Sequence, residues 1–147
     1  YVRSAMLWGD NYTTSYASSD KVDATVASSI KSVAEQKDEA SSLLNTYLTF
    51  TKLRNTYPAL AQGTMSRHAT YNESNTAAKS IAAWYMTKEK ERMLVIHNFG
   101  STAYQISLPD KIEKAVGVSG KAEQKKEGEN TLVKLDGYSS VVYKIAQ

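Results

Sequence analysis

Ile81-Ala82-Ala83-Trp84-Tyr85-Met86 and Arg92-Met93-Leu94-Val95-Ile96-His97-Asn98-Phe99 carry the reading of the fold. In the first run Ile81, Ala83 and Tyr85 alternate with Ala82, Trp84 and Met86, the period of an extended chain. The second is dense in β-formers. Further on, Tyr104, Ile106 and Leu108 share one face, and so do Val141, Tyr143 and Ile145. Turn residues fall between such runs: Glu89-Lys90, Gly100-Ser101, Pro109-Asp110, Gly120, Glu127-Gly128-Glu129-Asn130 and Asp136-Gly137. Short strands with this punctuation predict an antiparallel β-sandwich or barrel.

Upstream of Gly63 the period is different. Leu43, Leu44, Tyr47, Leu48, Phe50, Leu53 and Arg54 follow at spacings of three and four, which predicts a helix over 41–56. Ser41 or Ser42 can cap its start, and Glu39 suits the positive end of its dipole. Tyr57-Pro58 ends it, because a residue before proline is pushed out of the helical region. The apolar arc is wide, and one helix cannot bury itself. Residues 1–38 are polar and weakly periodic, with a short helix expected over Val26–Glu35. The rest of that stretch reads as a long loop lying against a larger body. The change of period places a boundary near Ala61–Met65, dividing the chain into 1–62 and 63–147.

Composition narrows the chemistry. The chain has 147 residues, 41% of them hydrophobic, enough for a real core. It has no cysteine, which excludes disulfides, thiolate catalysis and Cys-based zinc sites. No apolar run is long enough to span a bilayer. Net charge is +3, with lysines interleaved with acids, as in Lys88-Glu89-Lys90-Glu91 and Lys125-Lys126-Glu127. These read as solvated turns rather than a nucleic-acid surface. The chain opens on Tyr1 with no charged-then-apolar leader, and a longer parent protein is expected.

No active site is visible from residue types. His68 and His97 stand 29 residues apart with no metal-binding spacing, and His97 reads as a packed strand residue. No phosphate loop or nucleophile elbow is present. Asp20/Asp23 and Asp38/Glu39 read as solvating and capping acids. Trp8, Trp84 and the ten tyrosines could stack on sugar rings, though aromatics on a sandwich usually pack.

Three stretches, in order, resemble the end of α-amylase-family enzymes (glycoside hydrolase family 13). Tyr1-Val2-Arg3-Ser4-Ala5-Met6-Leu7-Trp8 is similar to the R-x-x-M-x-W segment after the eighth barrel strand. Ser41-Ser42-Leu43-Leu44-Asn45-Thr46-Tyr47, running on through Leu53-Arg54-Asn55-Thr56-Tyr57-Pro58-Ala59-Leu60 to Gly63, resembles the eighth barrel helix and its exit. Met93-Leu94-Val95-Ile96-His97-Asn98-Phe99 and Tyr138-Ser139-Ser140-Val141-Val142 resemble strands of the family's C-terminal domain. A finer likeness is to the outer-membrane α-amylase or neopullulanase type of bacterial starch-utilisation systems.

The resemblance implies a mainly β fold: the antiparallel Greek-key β-sandwich of the amylase C-terminal domain, preceded by the last loop and helix of a (β/α)8 barrel. It implies a parent that cleaves α-1,4-glucosidic bonds of starch and maltooligosaccharides with retention, through carboxylates upstream of Tyr1. No catalytic residue, metal ligand or cofactor is expected here; calcium is possible in the missing barrel. Arg3 matches an arginine that binds glucose at a minus-side subsite, although the Glu-Pro that often follows it is replaced by Ser4-Ala5. Trp8 is the second candidate for substrate contact. The partners implied are starch or maltooligosaccharide and the missing barrel, with an extracellular or outer-membrane-surface location. Two rivals stand beside this reading. A stand-alone carbohydrate-binding module requires an exposed Trp84 or Tyr85. A glycan-independent interaction protein requires a gene beginning near Tyr1.

Overall fold

The structure, a computed structural model, describes residues 7–9, 30–72, 74–75 and 78–146. The chain divides into two compact units, one up to Thr49 and one from Phe50 onward. The division falls inside a helix rather than at 62/63, because Phe50, Leu53, Tyr57 and Leu60 share a core with the strands that follow.

The first unit is held by capping. Helix α1 (Val33–Asp38) starts where Ser32 closes a capping box. Ser32 Oγ accepts from Glu35 N at 3.2 Å, and the Glu35 carboxylate accepts from Ser32 N at 2.7 Å. Two more amides at this helix start, those of Val33 and Ala34, donate to Leu7 O and Trp8 O at 2.9 and 3.0 Å. The helix expected over Val26–Glu35 is therefore shifted; residues 26–29 lie outside the described residues, and Ser32 sets the start. Glu39 is the C-cap of α1 and pairs with Lys31, so it does not serve the next helix's dipole as expected. Helix α2 (Leu43–Thr56) begins as predicted, with Ser42 Oγ accepting from Asn45 N at 3.1 Å. Tyr57-Pro58 ends α2, but the chain turns at once into helix α3 (Pro58–Gln62), with Pro58 in the first turn where its missing N–H costs nothing. Tyr57 offers no side-chain cap; the Glu91 carboxylate accepts from Ala59 N at 2.7 Å instead.

The second unit carries eight strands: β1 (Thr64–Arg67), β2 (Ile81–Lys88), β3 (Glu91–Asn98), β4 (Tyr104–Leu108), β5 (Ile112–Ser119), β6 (Ala122–Glu127), β7 (Asn130–Leu135) and β8 (Ser140–Ile145). One sheet has the order β1-β2-β3-β8-β5 and the other β4-β7-β6, with every pairing antiparallel. β8 returns to lie between β3 and β5, giving the crossed connections expected. The inner faces meet in one core: Ile81, Ala83, Tyr85, Leu94, Ile96, Ile106, Leu108, Val133, Leu135, Val141, Tyr143 and Ile145. Period two is followed in β2 from Ile81 to Met86, where inward residues are buried and outward ones half-buried.

β3 breaks that alternation for a physical reason. Met93, Leu94, Val95 and Ile96 are all buried, because both faces of the five-stranded sheet are covered there. Leu94 and Ile96 enter the sandwich core. Met93 and Val95 pack outward with Val142, Leu53 and Ala59. Gly117 makes room for this second core, since a Cβ there would stand 2.7 Å from Leu53 Cδ2. The Lys125-Lys126-Glu127 tract is solvated as expected but is not a turn. It lies in β6, an exposed edge strand, where charge discourages pairing with another chain.

Candidate functional site

The most conspicuous cluster of titratable groups is His68, Tyr85, Arg92 and Asp110. Four elements bring it together, so spacing along the chain carried no sign of it. His68 follows β1, Tyr85 and Arg92 come from neighbouring strands, and Asp110 sits in the turn after β4. His68 Nδ1 accepts from the Thr70 and Tyr71 amides at 3.1 and 3.2 Å, which leaves the ring proton on Nε2. Nε2 has Asp110 Oδ2 at 3.4 Å, too long for a well-formed hydrogen bond, and no other partner. Tyr85 Oη donates to the same carboxylate at 3.0 and 3.2 Å. Arg92 lies 4.0 Å above the Tyr85 ring.

Electrostatics follow from this packing. Burial pushes the Tyr85 phenol up to about 12, and the Asp110 charge adds to the effect. Burial alone would raise Asp110 as well. The His68 contact, the hydrogen bond from Tyr85 and the charge of Arg92 outweigh it and hold the carboxyl below its ordinary value. The side chains of His68 and Asp110 are only 1% and 8% exposed, so no substrate reaches the pair. The cluster is a structural pin. It ties the loop after β1 to the sandwich, helped by Tyr71, whose hydroxyl accepts from Ser107 N at 2.9 Å.

The accessible features lie on the outer face of the five-stranded sheet. A groove of about 340 Å³ is lined by Phe50, Leu53, Arg54, Trp84 and His97, among others. Trp84 is half-buried in it. His97 stands 5.1 Å from Trp84 and 5.5 Å from Phe99, ring to ring, and one of its ring nitrogens is bound to Ser140 Oγ. Burial depresses the His97 pKa, so the ring is neutral at neutral pH. In α2 the apolar arc is only partly used: Leu53 is buried, whereas Leu43, Tyr47 and Leu48 are exposed.

Of the two residues expected to touch substrate, Arg3 lies outside the described residues. Trp8 is about half exposed, and its carbonyl caps α1. No group of side chains able to hold a metal ion exists among the described residues, and no described helix is long and apolar enough to cross a membrane. Of the pair that a stand-alone glycan module would present, Tyr85 is buried and Trp84 only half-exposed.

Residues 81–142 match the family described as the alpha-amylase SusG C-terminal domain. These residues take in most of the sandwich. Over those residues the sandwich is similar to the SusG C-terminal domain. Along 99% of its length this chain is 56% identical to alpha-amylase SusG of Bacteroides thetaiotaomicron, spanning 21% of that protein. The chain also shares its fold with solved structures of low sequence identity. An alpha-amylase from H. orenii aligns over 97% of this chain and 27% of its own, at 16% identity and TM-score 0.71. An isomaltulose synthase from Klebsiella sp. LX3 aligns over 95% of this chain and 24% of its own, at 23% identity and TM-score 0.70. Another, from Erwinia rhapontici NX5 and bound to D-glucose, covers 97% and 25%, at 21% identity and TM-score 0.74. In this sandwich the three-stranded sheet turns polar residues such as Gln105, Ser107 and Lys134 to solvent, and the five-stranded sheet carries the apolar outer face.

Proposed function

We propose that this chain is the C-terminal, non-catalytic part of an α-amylase that hydrolyses α-1,4-glucosidic bonds in starch and maltooligosaccharides. The observation that carries this reading is the 56% identity to an alpha-amylase along nearly the whole chain. The partly unused apolar arc of α2 supports it: Leu43, Tyr47 and Leu48 require cover that the described residues do not give them. In this reading α2 closes the ring of a (β/α)8 barrel, and the sandwich stabilises that barrel.

Chemistry belongs to the barrel. In the retaining mechanism one carboxylate attacks the sugar and a second protonates the leaving oxygen, the two standing about 5–5.5 Å apart. Arg3 would bind glucose hydroxyls through its fork of donors, and Trp8 would line the same rim. Calcium, if bound, would sit in the barrel. An extracellular or outer-membrane-surface location suits an enzyme whose polymeric substrate cannot enter a cell.

The test is to express the whole parent open reading frame and follow maltoheptaose cleavage by proton NMR. The α-anomer should appear first. A parent without a barrel upstream of Tyr1, or a product that appears first as the β-anomer, would overturn the reading.

A further inference from the structure

The edge ladder of the five-stranded sheet runs on past the end of β1. His68 N donates to Ala83 O at 3.1 Å, and Ala83 N donates to Tyr71 O at 3.0 Å. Between these two bonds Ala69 and Thr70 leave the ladder and are exposed. The His68 ring closes the loop so formed. Its Nδ1 accepts from the Thr70 and Tyr71 amides at 3.1 and 3.2 Å, two and three residues on. An Asx turn has the same bonding, with an Asn or Asp oxygen accepting from the amides that follow it. An Asn would hold such a turn at every pH. A histidine holds it only while Nδ1 is bare.

Where a second proton would go decides the consequence. The ring is surrounded by Tyr71 on its own loop, Tyr85 from β2 with Arg92 from β3 over it, and Asp110 from the turn after β4. Asp110 faces Nε2, which already carries its hydrogen, and its charge is met by the Tyr85 hydroxyl and by Arg92. A further proton must therefore sit on Nδ1, across the ring from the carboxylate and pointing at two N–H donors. The side chain is 1% exposed, so water cannot take over the two amides while the ring stays in place. The closed loop and the second proton exclude each other, because uptake at Nδ1 breaks both amide bonds and strips the buried Tyr71 of its acceptor.

We propose that His68 is an acid-released latch: a solvent proton taken up at Nδ1 opens the loop 68–71 at the sheet edge while the sandwich stays folded. This holds whether or not the parent is an amylase.

The test is hydrogen exchange, followed by mass spectrometry on the whole parent protein between about pH 8 and pH 5, above the carboxylate range. Protection factors at Thr70 and Tyr71 divide out the intrinsic pH dependence of exchange. The closed loop excludes the proton, and a freely solvated imidazole takes it near about 6.5. Protection should then fall about tenfold for each pH unit below that value. Protection in β3 and β8 should hold. His68→Asn sets an oxygen where Nδ1 stands and takes no proton, so its profile should be flat. Asp110→Asn removes the charge and should keep the tenfold slope, which carries the test if His68→Asn does not fold. A flat profile in the unaltered protein overturns the latch. Protection that rises in acid does so too, since it means that the imidazolium pairs with Asp110 in place. A slope that persists in His68→Asn, one abolished in Asp110→Asn, or an equal loss across β3 and β8 also overturns it.

Discussion

Replacing Tyr85 by phenylalanine isolates one bond in the buried pin. The ring stays, and with it the Arg92 contact at 4.0 Å and the stacking on His68. Only the hydroxyl is lost, so no sizeable cavity opens. That hydroxyl donates at 3.0 and 3.2 Å to a carboxylate whose side chain is 8% exposed. Without it, Asp110 keeps only the 3.4 Å contact to His68. A hydrogen bond to a charged group contributes about 1.5–3 kcal/mol, so the variant should lose about 2 kcal/mol. The loss must also depend on pH in a defined direction. Asp110 is held below its ordinary pKa in the fold. Such a carboxylate contributes stability above its unfolded pKa and loses it as pH falls through the folded one. Losing the Tyr85 bond relaxes that depression. The gap between the two proteins should therefore be full at pH 7 and narrow below about pH 4. Urea unfolding followed by tryptophan fluorescence at pH 7 and pH 3 measures both quantities. A gap under about 0.5 kcal/mol at pH 7, or an equal gap at both pH values, refutes the account of the pin.

Leu53→Ala should cost about 2–3 kcal/mol, the low end for a buried leucine because its site borders an open groove, and limited proteolysis should then cut near the end of α2. Gly137→Ala drives a Cβ against the Ser101 backbone and should cost about 1–3 kcal/mol. Gly128→Ala meets open space and carries only the left-handed penalty of about 1–2 kcal/mol, so thermal melts should place Gly137→Ala at or below Gly128→Ala. Ser32→Ala removes the capping box and should cost about 1 kcal/mol locally, seen as faster amide exchange at Glu35 with the sandwich amides unchanged.

Much of the fold was legible because its signals are local. The alternation of Ile81, Ala83 and Tyr85, the matched faces of Ile106 and Leu108 with Val141 and Tyr143, and the glycine and proline turns each act within a few residues. The start of α2 was legible for the same reason, since Ser42 caps its own neighbour. What was misread depended on neighbours that the chain brings from afar. Pro58 was read as a stop and proved also to be a start, because Glu91, 32 residues beyond Ala59, caps α3 by accepting from the Ala59 amide. The lysines at 125 and 126 were read as a turn and proved to be an edge strand, because β7 pairs with them.

The sequence by itself determined the strand periods, the amphipathic helix with its wide apolar arc, and the resemblance to the end of an amylase. Tertiary structure alone decided that α2 is shared between two units, that β3 is buried on both faces, and that His68, Tyr85, Arg92 and Asp110 meet. It also decided which aromatics are presented: Tyr85, a strand residue like its neighbours, went into the core, and Phe99 and Tyr138 stayed exposed. The physical reason is range. Hydrogen-bond geometry and side-chain period act along the chain, whereas burial and charge pairing are set by whichever strands the crossed connections lay together.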